Sequence, residues 1–128
     1  MTSYRRLYQQ GGSYFFTVNL ANRQSSLLTE QIDLLKQAFR HVKQRHPFQM
    51  DAIVVLPDHL HCVWTLPEHD DNYSTRWRLI KSYFSYRLPY QPDENHSSSR
   101  VQKSERGIWQ RRFWEHAIRD EQDFSRAY

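Results

Sequence analysis

The stretch Ala52-Ile53-Val54-Val55-Leu56-Pro57-Asp58-His59-Leu60-His61-Cys62-Val63-Trp64-Thr65-Leu66 decides how this chain folds. Its first five residues are apolar and mostly β-branched, which suits a strand buried on both faces. Pro57-Asp58 interrupts the run, and the short gap predicts a hairpin or bulge between strands over residues 48–56 and 59–66. Residues two apart on a strand share a face, so His59 and His61 project side by side while Leu60, Cys62 and Trp64 point into the core. Such a pair costs desolvation unless something uses it. Neutral imidazole is a common transition-metal ligand and tolerates Mn²⁺ or Mg²⁺ where oxygens complete the shell. Two ligands leave that shell open; a third must come from another element, either the last helix or a carboxylate such as Asp58. Surface or hydrogen-bonded histidines are the alternative.

Outward from this stretch, Gly11-Gly12 marks a turn before a strand over residues 13–20, where Tyr14, Phe16 and Val18 recur at period two. Thr29 is placed to cap a helix running to about Arg45, with Ile32, Leu35, Phe39 and Val42 as its apolar stripe and Lys36, Arg40, Lys43 and Arg45 outside. A second helix opens at Asn72 or Ser74 and carries Trp77, Ile80 and Phe84. Residues 88–106 are polar, with Pro89, Pro92 and Ser97-Ser98-Ser99, and read as a loop. Residues 107–114 return to aromatic and basic character and read as a strand, and Asp120 is a plausible cap for a last helix bearing Phe124 and Tyr128. The order β-α-β-β-α-loop-β-α predicts an α+β, ferredoxin-like (split βαβ) antiparallel sheet with its helices on one face.

The 128 residues suit one domain, and the whole chain is read as such. Nineteen aromatics (eight Tyr, seven Phe, four Trp) are enough to build a core. A net charge of +4 and a pI near 9.4 fit a nucleic-acid partner, where phosphates meet cations and bases stack on rings, or an ordinary basic surface. The single Cys62 excludes an internal disulfide and a thiolate-rich zinc site. No run reaches signal-peptide or membrane-spanning length, which predicts a cytoplasmic, nucleoid-associated protein.

The segment Val54-Val55-Leu56-Pro57-Asp58-His59-Leu60-His61-Cys62-Val63-Trp64-Thr65-Leu66-Pro67 resembles the histidine-hydrophobic-histidine (HUH) motif of single-tyrosine transposases, more narrowly the REP-associated tyrosine transposases of bacteria. Tyr14-Phe15-Phe16-Thr17-Val18-Asn19-Leu20, Ser74-Thr75-Arg76-Trp77-Arg78-Leu79-Ile80-Lys81 and Ile108-Trp109-Gln110-Arg111-Arg112-Phe113-Trp114-Glu115-His116-Ala117-Ile118-Arg119-Asp120 agree in order and spacing. The resemblance implies an HUH endonuclease fold, a divalent metal (Mg²⁺ or Mn²⁺) on His59 and His61, and single-stranded or hairpin DNA as partner. It further implies DNA cleavage and rejoining through a 5′-phosphotyrosine, on folded repetitive extragenic palindromes. In the family the nucleophile lies about six residues beyond the position of Phe124, which falls about two residues past Tyr128. Two helical residues mean about 200° of rotation, so Tyr128 reads first as a stripe residue with Phe124 and only second as a catalytic candidate. The expectation is a chain truncated before its nucleophile, with a non-catalytic DNA-binding remnant as the alternative reading. The expected DNA contacts are Arg5 and Arg6, where the family's N-terminal region meets guide bases, then Arg76, Arg78, Lys81, Arg111 and Arg112. An RNA-binding ferredoxin-like sheet is the reading from another class, without a recognisable RNP segment. Monomer and homodimer are both open.

Overall fold

Successive side chains of Ser13–Asn19 (β1) alternate strictly, with Tyr14, Phe16 and Val18 fully buried on one face and Phe15, Thr17 and Asn19 on the other. The computed structural model describes residues 10–89 and 106–118. After β1 come Leu27–Glu30 (α1), Ile32–Arg45 (α2), Gln49–Val55 (β2), His59–Thr65 (β3), Tyr73–Arg87 (α3) and Trp114–Ile118 (β4). The strands form one antiparallel sheet in the order β2-β3-β1-β4, so β3 and β1 are interior and β2 and β4 flank them.

Both long helices lie on the sheet face that carries Tyr14, Phe16, Val18, Leu60, Cys62 and Trp64. Leu35, Ala38, Phe39 and Val42 of α2 join Trp77, Ile80 and Phe84 of α3 in one buried cluster with those residues. Its centre is aromatic: Trp64 and Trp77 stack with centroids 4.5 Å apart, and Phe16 meets Trp64 edge-on at 4.8 Å. Packing of this kind adds to area burial, and truncating such a Trp typically costs about 3–5 kcal/mol.

Three boundaries differ from the sequence expectation. The first helix starts at Leu27, two residues ahead of the expected cap, with Ser25 Oγ accepting the Leu27 N–H at 3.1 Å, and it is interrupted at Gln31. Thr29 instead donates its hydroxyl to the Ser26 carbonyl at 3.0 Å. The apolar run in β2 is not covered on both faces: β2 flanks the sheet, leaving Ile53 and Val54 40% and 47% exposed. Its register slips between Met50 and Ala52, where Asp51 is the extra residue and accepts the Thr65 hydroxyl at 2.6 Å.

The third difference is the last strand. Residues 107–113 make only an isolated bridge, Leu20 to Trp109, and regular pairing begins at Trp114. Asn72, by contrast, caps α3 as expected, accepting the Thr75 N–H at 3.1 Å. Among the described residues no helix is long and apolar enough to cross a membrane.

Candidate functional site

The turn between β2 and β3 is held from outside the hairpin. Leu56 donates its N–H to the His59 carbonyl at 2.8 Å, closing the two-residue turn Pro57-Asp58. The carbonyls of Pro57 and Asp58 then accept from Leu28 (3.1 Å) and Leu20 (2.9 Å), so the tip is pinned to the segment after β1. Its backbone is therefore fixed where the first histidine leaves it.

His59 and His61 emerge from β3 onto the face opposite the helices, half-buried, with ring centroids 5.0 Å apart and planes nearly perpendicular. Each ring is held through Nδ1. His59 Nδ1 lies 2.9 Å from Asp58 Oδ1, and Asp58 Oδ2 accepts from Arg23 Nε at 2.6 Å. His61 Nδ1 lies 2.9 Å from the hydroxyl of Thr17, its direct partner across β1 and β3. The Arg23 guanidinium, and then the His59 ring, hold the Asp58 carboxyl down at about 2, so it is ionised at neutral pH. Burial, and secondarily the charge of His59, push His61 below its ordinary value, so it is neutral there.

Two imidazoles with Nδ1 engaged have Nε2 as the atom available to an ion, which is the arrangement metal-binding histidines use. His59 and His61 are the residues that fit a divalent metal. Among the described residues no three His, Cys, Asp or Glu side chains group around one point. Asp58, the carboxylate considered as a third ligand, has both oxygens occupied by Arg23 and His59. Cys62 is buried on the helix side, and that burial pushes its thiol well up.

The same open face carries a row of rings. Phe15 stacks on His61 at 5.6 Å and meets Trp114 edge-on at 5.8 Å, while Trp114 lies parallel to His116 at 5.8 Å. His116 thus shares the face of the histidine pair, opposite Phe15 in the register. Trp114 is half exposed. Trp114 opens this strand, whereas the sequence suggests that it closes one; the sequence does allow His116 to approach the face of the histidine pair, and the alternation of Trp114, His116 and Ile118 is the signal that puts it there.

The remaining expected site residues divide. Arg78, Arg111 and Arg112 are exposed. Arg76, expected to face DNA, is instead inside: it is 3% exposed and makes five hydrogen bonds, two to Asp70 and one each to the carbonyls of His46, Pro47 and Asn72. Lys81 is half-buried and donates to the Gln110 carbonyl at 2.8 Å, tying α3 to the segment before β4. Arg5, Arg6 and Tyr128 lie outside the described residues.

No family model matches the chain. It is 48% identical over 124 residues to the REP-associated tyrosine transposase of Escherichia coli, covering 97% of this chain and 66% of that protein. A Haemophilus influenzae relative assigned to the same family is 43% identical over 125 residues, covering 98% and 70%. The chain thus spans about two thirds of the length of these relatives. A solved REP-associated tyrosine transposase bound to a REP hairpin superposes with a TM-score of 0.79 at 48% identity, over 98% of this chain and 67% of that one. A Deinococcus radiodurans crystal structure at 16% identity superposes with a TM-score of 0.58 over 98% and 92%, which speaks to the fold alone.

Proposed function

The chain belongs to the REP-associated tyrosine transposases, and from that membership we propose that it binds hairpin DNA with single-stranded flanks and that His59 and His61 hold Mg²⁺ or Mn²⁺ for its cleavage and rejoining. The observation that carries the reading is the histidine pair on the open sheet face, each ring fixed through Nδ1 with Nε2 left for an ion. A bound divalent ion polarises a phosphodiester and offsets the charge gained in the transition state. The nucleophile of the proposed reaction is a tyrosine hydroxyl: its oxygen replaces the 3′-oxygen on phosphorus, the strand leaves with a protonated 3′-hydroxyl, and the 5′-phosphotyrosine conserves the ester for rejoining. Tyr128 is the candidate at the C-terminal side, outside the described residues.

The protein's own contribution is a surface for the strand. Trp114, half exposed and lying parallel to His116, offers a ring face beside the histidines for an unpaired base to stack on, with Phe15 packed beneath it. Arg78, Arg111 and Arg112 are the described arginines proposed for phosphate contact, with Arg5 and Arg6 completing the set. Arg76 and Lys81 have structural roles and are left out of it.

Fluorescence anisotropy tests binding and metal uptake separately. Wild-type protein should prefer a labelled palindromic hairpin with single-stranded flanks over a fully paired duplex of equal length, with affinity falling steeply in salt. Titrated Mn²⁺ should bind the wild type, while His59→Ala with His61→Ala should keep the hairpin and lose the ion. A Mn²⁺-dependent covalent protein–DNA band would carry the cleavage step. Equal affinity for duplex and hairpin, or no Mn²⁺ uptake by the wild type, overturns the corresponding half of the proposal.

A further inference from the structure

We propose that Asp58, held in place by Arg23, is a positioning residue that fixes which nitrogen of His59 carries the proton, while Thr17 fixes the ring of His61 without dictating its proton. The consequence for metal affinity rests on the reading of the histidine pair given above; the proton placement is a property of the metal-free chain.

A neutral imidazole has one N–H and one lone pair, and whichever partner the first nitrogen meets decides where the lone pair sits. A carboxylate only accepts. Asp58 Oδ1, 2.9 Å from His59 Nδ1, therefore requires the proton on Nδ1 and leaves the lone pair on Nε2, the atom that an ion takes. A hydroxyl both donates and accepts, so Thr17, 2.9 Å from His61 Nδ1, holds the ring with either nitrogen protonated. The two histidines are thus prepared differently: one in a single tautomer, the other in orientation only.

Arg23 makes the first effect possible. One hydrogen bond leaves a carboxylate some freedom to turn, and Arg23 Nε removes it by binding Oδ2 at 2.6 Å while His59 takes Oδ1. The backbone is fixed by the same neighbourhood, since the Asp58 carbonyl accepts from Leu20 and that of Pro57 from Leu28. Arg23 is half exposed and contributes nothing to the core, so its pairing with a residue thirty-five positions away is not explained by packing.

Two-bond ¹⁵N–¹H correlation spectra of the full metal-free chain at pH 8 read the tautomers directly. His59 should appear as the Nδ1–H form alone in the wild type, as a mixture in Asp58→Ala, and as a smaller admixture in Arg23→Ala that Arg23→Lys reverses. Thr17→Val should change the His61 signals and leave those of His59. In parallel, Mn²⁺ affinity should fall about 10- to 100-fold in Asp58→Ala and less in Arg23→Ala. Methyl spectra of the core, unchanged in Arg23→Ala, keep the test separate from folding. An Nε2–H form of His59 in the wild type, or an unaltered tautomer in Asp58→Ala, overturns the proposal. If the wild type takes up no Mn²⁺, the metal reading falls while the tautomer spectra still decide this one.

Discussion

Replacing Arg76 by Met keeps much of the buried stem and removes the guanidinium, which separates a structural role from a DNA-binding one. The guanidinium makes five hydrogen bonds, two of them to the Asp70 carboxylate at 3.1 and 2.9 Å. Breaking a buried ion pair by removing one partner typically costs about 3–5 kcal/mol. The Asp70 side chain is 32% exposed and recovers some hydration, as do carbonyls that lie in turns, so the lower end applies, about 3 kcal/mol. For a domain of this size that corresponds to a fall in Tm of roughly 10 °C. Urea denaturation at neutral pH, followed by circular dichroism with unchanged m-value, measures it. The Arg76 hydrogen bond, ahead of other causes, lowers the Asp70 carboxyl from 3.8. A group whose folded value is depressed stabilises fully above its unfolded value and less as pH falls through the folded one. Wild-type stability should therefore decline below about pH 3.8, and Arg76→Met should lack that component. An unfolding free energy within about 0.5 kcal/mol of wild type, together with collapsed hairpin affinity, would refute the structural reading and return Arg76 to the DNA surface.

Lys81→Met removes the donor to the Gln110 carbonyl and should cost about 1–2 kcal/mol while accelerating exchange of the Trp109 indole proton, which is donated to the Lys81 carbonyl at 3.2 Å; unchanged exchange counts against that tie. Because burial lowers the His61 value, the unfolded chain takes up a proton below pH 6.5 that the fold resists, so metal-free stability should fall as pH drops from 6.5. His61→Asn should flatten that slope in pH-dependent melts, and an equally steep slope in the variant would rule His61 out as its source. Trp114→Ala should cost under about 1 kcal/mol of stability, since half the ring is exposed, yet weaken binding of a flanked hairpin by about 1–3 kcal/mol and leave a flankless hairpin unaffected; equal weakening of both would dismiss the stacking role.

The arrangement of β1, α2, β3 and α3 is legible because each carries a clear period, from Tyr14-Phe16-Val18 to Trp77-Ile80-Phe84, and β2 is legible from its β-branched run and the Pro57-Asp58 break. The pattern fails where the answer depends on what lies alongside. Nothing in Ile53-Val54 states that β2 flanks the sheet, since an apolar run reads alike with or without a covering neighbour. Arg76 looks like any helix arginine; Asp70 and Asn72 lie nearby in sequence, but the carbonyls of His46 and Pro47 that complete its buried set come from about thirty residues upstream. The histidine pair was visible as a pair, and its facing away from the helices followed from alternation. Its supporting residues were not, because Thr17 and Arg23 reach it across strand register and loop return rather than along the chain.

That separation bears on how such a site is inherited and moved. Residues 49–65 contain both histidines, and by themselves would make a tidy hairpin. Yet the hydroxyl beside one ring belongs to β1, the guanidinium behind the other to the loop that follows it, and the anchors of the tip to Leu20 and Leu28. Grafted alone onto another scaffold, the hairpin would carry the two side chains without their settings. The smallest unit that keeps those settings is the hairpin together with everything from β1 to α1, and a lineage that loosened β1 would release the two rings while every histidine stayed in the sequence.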